Sequence, residues 1–316
     1  MLKSVLSDLL YGTSYSVSYL LDNSVSKTIL KKGIISRKVF AGLLRAIYLT
    51  QTDYRLVIDK REKLIRTKKG RIFAINHRQA DDIVLGANAV GKSAYIVFGN
   101  KYLALETTNG LGLWAYGMIL IERDNVYSRN ATYKKMKYVI ESGGNIIIYP
   151  EGYWNLADDG QADENHLADG HNSENWLIQD INIGILRLAK ETGCEIIPTI
   201  LHYDEVNKKR CYAHRGKAFC VKKEDDIFIK KDELVQLMTD MYWGLMERYS
   251  RYCRKDLEKD GKSLKQNWEE LKEQLQRACD IERIGYKLNL ADEKRIGKAK
   301  AVHSIVMPDE VFRVKR

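Results

Sequence analysis

From residue 54 onward, short β-rich runs alternate with stretches of helical periodicity, and that alternation leaves few folds open. The β-rich runs are residues 54–58, 71–75, 94–98, 118–122, 145–149, 195–203 and 211–221, with helical patterns at 80–89, 127–141 and 181–191. Strands separated by helices of about 10 to 15 residues build parallel crossover units. The predicted fold class is therefore α/β, a mostly parallel sheet flanked by helices. Gly143 and Gly193 stand where helix C-terminal caps are expected.

The flanks have a different character. Leu2, Val5, Leu6, Leu9 and Leu10 follow the three-four spacing of an amphipathic helix, and residues 29–49 repeat it around Lys31, Lys32, Arg37, Lys38 and Arg45. Apolar stripes beside cations suit an anionic membrane surface, and packing on the protein's own core is the other reading. Beyond 221, residues 231–258 and 263–279 read as helices, with Leu234, Met238, Met241, Leu245, Tyr249 and Tyr252 on one stripe. The expected organisation is basic amphipathic helices at 1–53, a catalytic α/β domain at 54–225, and a helical extension with a basic tail at 226–316.

Charge and cysteine usage narrow the partners. The net charge is +10, and residues 1–70 alone carry 14 Lys and Arg against 5 acids, whereas residues 156–180 carry 7 acids and no Lys or Arg. So uneven a distribution favours an anionic surface or substrate, and nucleic acid is not expected as a partner. The 5 cysteines have no CxxC spacing, which fits neither a disulfide framework nor a zinc site, so no metal is expected and a reducing cytoplasm is the simplest compartment. Residues 1–21 make a poor signal peptide, and the longest uncharged run, 107–121, has 15 residues against the roughly 18 to 20 needed to span a bilayer.

The chemistry concentrates after the second β-rich run, in Asn76, His77, Arg78, Gln79, Ala80, Asp81 and Asp82. In a strand-to-helix turn, a histidine on the turn can be bonded by an aspartate on the first helical turn. That fixes the imidazole tautomer and leaves the other nitrogen to remove a proton from a substrate. Alone, the His77 and Asp82 spacing also fits a surface histidine beside a helix cap. Three further blocks follow in order: GMILIERD at 117–124, IIIYPEG at 146–152 and EIIPTI at 195–200.

With NHRQADD these blocks resemble the glycerolipid acyltransferase family, the group containing 1-acylglycerol-3-phosphate acyltransferase, over about residues 70–220. FGNKYL at 98–103 fits the same family. The resemblance implies an acyltransferase in which His77 is general base on an acceptor hydroxyl and Asp82 holds His77. It implies that Arg123 contacts a phosphate, that Glu151 helps bind the acceptor and that Gly152 permits close backbone approach. The donor would be an acyl thioester, acyl-CoA or acyl carrier protein, used as co-substrate with no other cofactor. The acceptor would be a lysophospholipid, most readily 1-acylglycerol 3-phosphate, or else a glycolipid or saccharide hydroxyl. The expected location is cytoplasmic, peripheral on the inner face of the membrane.

The sequence departs from the family where Tyr153, Trp154 and Asn155 replace its Thr, Arg and Ser, removing one cationic phosphate contact. The acidic stretch 156–180, with His166 and His171, reads as a solvated loop or as an acceptor-selecting lid. Residues 111–121 read as one wall of an acyl-chain tunnel or as core ahead of a strand. Two readings of other classes stand beside these. Residues 86–93, GANAVGKS, spell a phosphate-binding loop, but a helix is expected before them and a strand after, the reverse of what that loop needs. A noncatalytic membrane-binding protein is the other.

Overall fold

The computed structural model describes residues 5–6, 8–10, 12–14, 16, 27–49, 52–79, 81–99, 117–122, 125–152, 177–178, 180–204, 209–250, 253–255 and 270–271. In chain order the elements are α1 (Lys27–Leu49), β1 (Arg55–Arg61), β2 (Ile72–Ile75), α2 (Asp82–Val90), β3 (Ala94–Phe98) and β4 (Met118–Leu120). There follow α3 (Val126–Glu141), β5 (Asn145–Ile148), α4 (Gly184–Thr192), β6 (Ile196–Tyr203), β7 (Arg210–Arg215) and α5 (Ile227–Tyr249).

Seven strands form one sheet in the order β1-β7-β6-β2-β5-β3-β4. The five from β6 to β4 run parallel, β7 is antiparallel to β6, and β1 pairs parallel with β7. The mostly parallel α/β class read from the sequence is thus the fold observed. A sheet covered on both faces needs strands apolar on both, which is why β5 reads Asn-Ile-Ile-Ile and β2 Ile-Phe-Ala-Ile. Side chains alternate: Ile72 and Ala74 join a core with α3, α4 and α5, while Phe73 and Ile75 join a core with α2.

Helix boundaries follow local chemistry. Asn125 caps α3 by accepting from the amides of Tyr127 (3.0 Å) and Ser128 (3.2 Å), and Asp226 caps α5 through Phe228 and Ile229. That cap starts α5 four residues ahead of the helix read from the sequence at 231. Gly193 ends α4 in the left-handed region, as its position suggested, and Gly91 does the same for α2. With a helix ending at Gly91 and β3 beginning at Ala94, residues 86–93 have the order helix, turn, strand and cannot form a phosphate-binding loop. The run read as 211–221 ends as a strand at Arg215. Past Gly216 the chain jogs, and Phe219 bridges back to Ile196.

Of the stripe read on α5, Leu234, Met238 and Leu245 are fully buried against the sheet and Met241 and Tyr249 half-buried, with Tyr242 and Met246 buried beside them. Residues 118–120 of the apolar run are likewise buried strand, while 111–116, Tyr252 and residues 263–269 and 272–279 lie outside the described residues. Between α5 and β6, the buried His202 is held by Tyr242 Oη at Nδ1 (3.2 Å) and Ser250 Oγ at Nε2 (2.7 Å). Burial, aided by the nearby Arg78 charge, pushes its pKa down to about 3. Helix α1 packs by close approach at Gly33, where Tyr95 Oη donates to the Leu30 carbonyl (2.5 Å) and the Arg37 guanidinium lies 4.3 Å over the Tyr95 ring.

A Cβ on Gly33 would fall 2.2 Å from Tyr95 Oη, whereas one on Gly42 of the same helix meets nothing within 4 Å. In urea unfolding, Gly33→Ala is expected to destabilise by about 1–3 kcal/mol and Gly42→Ala to stabilise by about 0.5–1 kcal/mol. Equal effects at the two sites would contradict the docking of α1. His202 gives a pH test. The folded chain keeps it neutral to about pH 3, while the unfolded chain protonates it below its ordinary 6.5, so the unfolded state binds more protons between those values. This component of stability is full above pH 6.5 and is lost as pH falls towards 3. His202→Gln should therefore flatten the slope of unfolding free energy between pH 6 and 4 by up to about 1.4 kcal/mol per pH unit. An unchanged slope would rule this out.

Candidate active site

Two neighbouring strands, β2 and β5, send their chains to opposite faces of the sheet: β2 into α2, and β5 towards α4. Such a switch leaves a crevice at the carboxyl ends of the strands. Residues 76–82 follow β2, residues 149–152 follow β5, and β6 on the other side of β2 ends at Tyr203.

The turn after β2 is organised by one carboxylate. Asp82 opens α2 and is fully buried, so its charge requires donors. Its Oδ2 accepts from the Arg78 amide, the Gln79 amide (2.9 Å) and His77 Nδ1 (2.9 Å), and Oδ1 accepts from Tyr203 Oη. Because an ionised carboxylate only accepts, His77 carries its hydrogen on Nδ1 and, when neutral, its lone pair on Nε2. The ring is positioned as well as oriented, lying against Tyr149 with centroids 4.5 Å apart, while Tyr149 Oη donates to the Asp82 carbonyl (2.7 Å).

Asn76 anchors the same turn to β6. Its side chain donates to the Leu201 carbonyl (3.0 Å) and accepts from the Leu201 amide (2.7 Å), acting as a short length of strand after β2 has ended. From the β5 side, Glu151 is buried and its Oε1 accepts from the His77 amide (2.8 Å). The turn that delivers Glu151 closes through the Gly152 amide on the Tyr149 carbonyl (3.1 Å), with Gly152 at φ +82°, a conformation that favours glycine.

The structure thus gathers His77, Asp82 and Glu151 at one crevice and gives Gly152 the turn beside them. Arg123, residues 153–155 with their departures from the family, and residues 156–176 with His166 and His171 lie outside the described residues, as does Lys101. Three contributors were not picked out from the sequence: Tyr203, Tyr149 and Asn76. Asn76 and Tyr149 stood inside recognised blocks, but Tyr203 lies 121 residues from Asp82 and is brought to it only by the pairing of β2 with β6. Among the described residues, no group of three His, Cys, Asp or Glu side chains is arranged to hold a metal.

An imidazole with its lone pair on Nε2, backed by a buried carboxylate at the mouth of an α/β crevice, is equipped to take a proton from a hydroxyl. Comparison with known proteins agrees with this chemistry. Residues 56–202 match the family profile described as Acyltransferase. No curated protein sequence matches the chain. Among solved structures, the 1-acyl-sn-glycerophosphate (LPA) acyltransferase PlsC from Thermotoga maritima has a similar fold, with a TM-score of 0.51 and 14% identity over 78% of this chain and 99% of that one. The sheet domain thus carries an Acyltransferase profile and shares its fold with PlsC, with the His77–Asp82 turn at its crevice, in keeping with the resemblance to the glycerolipid acyltransferase family.

Proposed function

We propose that the protein is an O-acyltransferase that moves an acyl chain from acyl-CoA or acyl carrier protein to a lysophospholipid hydroxyl, with 1-acylglycerol 3-phosphate as first choice. The 2.9 Å contact between His77 Nδ1 and Asp82 Oδ2 carries this reading. Nε2 of His77 takes the acceptor's hydroxyl proton as that oxygen attacks the thioester carbonyl. Asp82 stabilises the resulting imidazolium. Collapse of the tetrahedral intermediate breaks the carbon–sulfur bond, and the imidazolium returns the proton to the leaving thiolate. Base catalysis of this kind supplies about a hundred-fold to ten-thousand-fold, and bringing two substrates together supplies the larger share. Glu151 holds the His77 peptide in this scheme, and Arg123 is assigned to the acceptor phosphate.

Membrane attachment belongs to the same reading. On α1, Ile35, Val39, Phe40 and Leu43 are exposed beside exposed Lys31, Lys32 and Lys38, an apolar stripe flanked by cations. Among the described residues, no helix is long and apolar enough to cross a membrane. The chain is then peripheral, on the cytoplasmic face.

Incubation with radiolabelled acyl-CoA and a panel of lysophosphatidate, glycolipid and saccharide acceptors, resolved by thin-layer chromatography, tests the reaction. His77→Ala should lower transfer by about a hundred-fold or more, and Tyr203→Phe by about ten-fold through loss of one donor to a buried carboxylate. Full activity in His77→Ala would defeat the mechanism, and labelling of a saccharide alone would move the acceptor to the second choice. The double variant Val39→Asp/Leu43→Asp should lose most sedimentation with phosphatidylglycerol vesicles. Undiminished binding would assign the stripe to another role.

A further inference from the structure

Arg78 follows His77 directly, yet its side chain serves none of the bonds described above. It is 2% exposed, and Nε, Nη1 and Nη2 are all buried without a hydrogen-bond partner among the described residues. Three other arginines close to the sheet donate to carbonyls or pair with a carboxylate. Arg215 donates to the carbonyls of Val90 (2.8 Å) and Glu62 (2.9 Å), Arg61 to those of Ala89 and Asn88, and Arg71 pairs with Glu195 (2.6 Å). The Arg78 guanidinium instead lies 4.5 Å over the ring of Tyr242. Stacking uses the face of the guanidinium, while its N–H donors lie in the plane and point from the edge. Tyr242 therefore holds the group without satisfying it. His202, which feels the Arg78 charge, is neutral and supplies no counter-charge. A desolvated guanidinium in this state is unfavourable unless an anion completes it, and its planar fork matches a phosphate with two parallel bonds.

We propose that Arg78 binds a phosphoryl group of a substrate, next to the base that activates the hydroxyl. This rests on the acyl-transfer reading and names the ligand chemistry of the same site. Adjacent residues have Cα atoms about 3.8 Å apart, and in a glycerol phosphate the free hydroxyl and the phosphorus are a few bonds apart, so two neighbouring side chains can address them together. The sequence makes room for the role, since Tyr153, Trp154 and Asn155 supply no cation where the family resemblance expects one. Acceptor headgroup and the phosphates of CoA share this chemistry, and the arms below separate them.

Binding of inorganic phosphate and of glycerol 3-phosphate is measured by calorimetry on wild type, Arg78→Gln and Arg78→Lys, followed by transfer kinetics. Wild type should bind both, Arg78→Gln about ten-fold to a hundred-fold more weakly, and Arg78→Lys in between because it keeps charge without the fork. No binding by wild type, or equal binding by all three, overturns the proposal. If Arg78→Gln does not fold, unchanged affinity in Arg78→Lys overturns it. In kinetics, a fall in the preference for lysophosphatidate over monoacylglycerol places the phosphoryl group on the acceptor. A fall in the preference for acyl-CoA over an acyl-pantetheine lacking the nucleotide places it on the donor. An even loss of turnover on every pair marks a structural strut and overturns the proposal. Arg78-dependent phosphate binding in a wild type that transfers no acyl group would sink the acyl-transfer reading and leave the phosphoryl site standing.

Discussion

A single buried negative charge, the carboxylate of Asp82, organises the candidate site of this protein. Placing an ionised group out of water is strongly unfavourable unless donors surround it. Here two amides of the preceding turn, the imidazole of His77 and the hydroxyl of Tyr203 do so. Each donor in turn has its position set by the carboxylate. The turn cannot unwind without stranding the charge, and the imidazole cannot rotate without losing its partner. Orientation of the imidazole is thus a by-product of satisfying Asp82.

The far end of the same helix is fixed by the opposite chemistry. Carbonyls of Asn88, Ala89 and Val90 at the C-terminus of α2 receive the guanidinium groups of Arg61, from β1, and Arg215, from β7. Cations are favoured at this pole of a helix and anions at the other, so the nine-residue α2 is held by charge at both ends. That places the two reversed strands, β1 and β7, in a supporting role for a site to which they give no side chain. Glu151 closes the arrangement from the β5 side, so that the His77 peptide is tied to one neighbouring strand while its ring, through Asp82, is tied to the other.

Arg78 stands apart from this economy of paired charges. Among the described residues, none supplies a hydrogen bond to the Arg78 guanidinium, which meets an aromatic face instead. A binding site differs from a structural centre in this respect, since its polar groups are completed by the ligand and not by the fold.

Periodicity alone determined the fold class, because a strand buried on both faces must be continuously apolar and the helices between such strands must carry a stripe. The turn carrying His77 and Asp82 was equally legible, since its bonds run between residues five apart or closer. Caps showed too, as with Gly193, although the start of α5 at Asp226 needed the side-chain bond to be seen. What only the tertiary structure decided is which strands lie side by side. The order β6-β2-β5 is set by packing of side chains far apart in the chain, and no local pattern records it. That order brings Tyr203 to Asp82 and Glu151 to His77, and it buries Arg78 against Tyr242 of α5. The sequence determined the His77–Asp82 pair, and the sheet order determined its surroundings, because a hydrogen bond depends on distance in space and periodicity reports only distance along the chain.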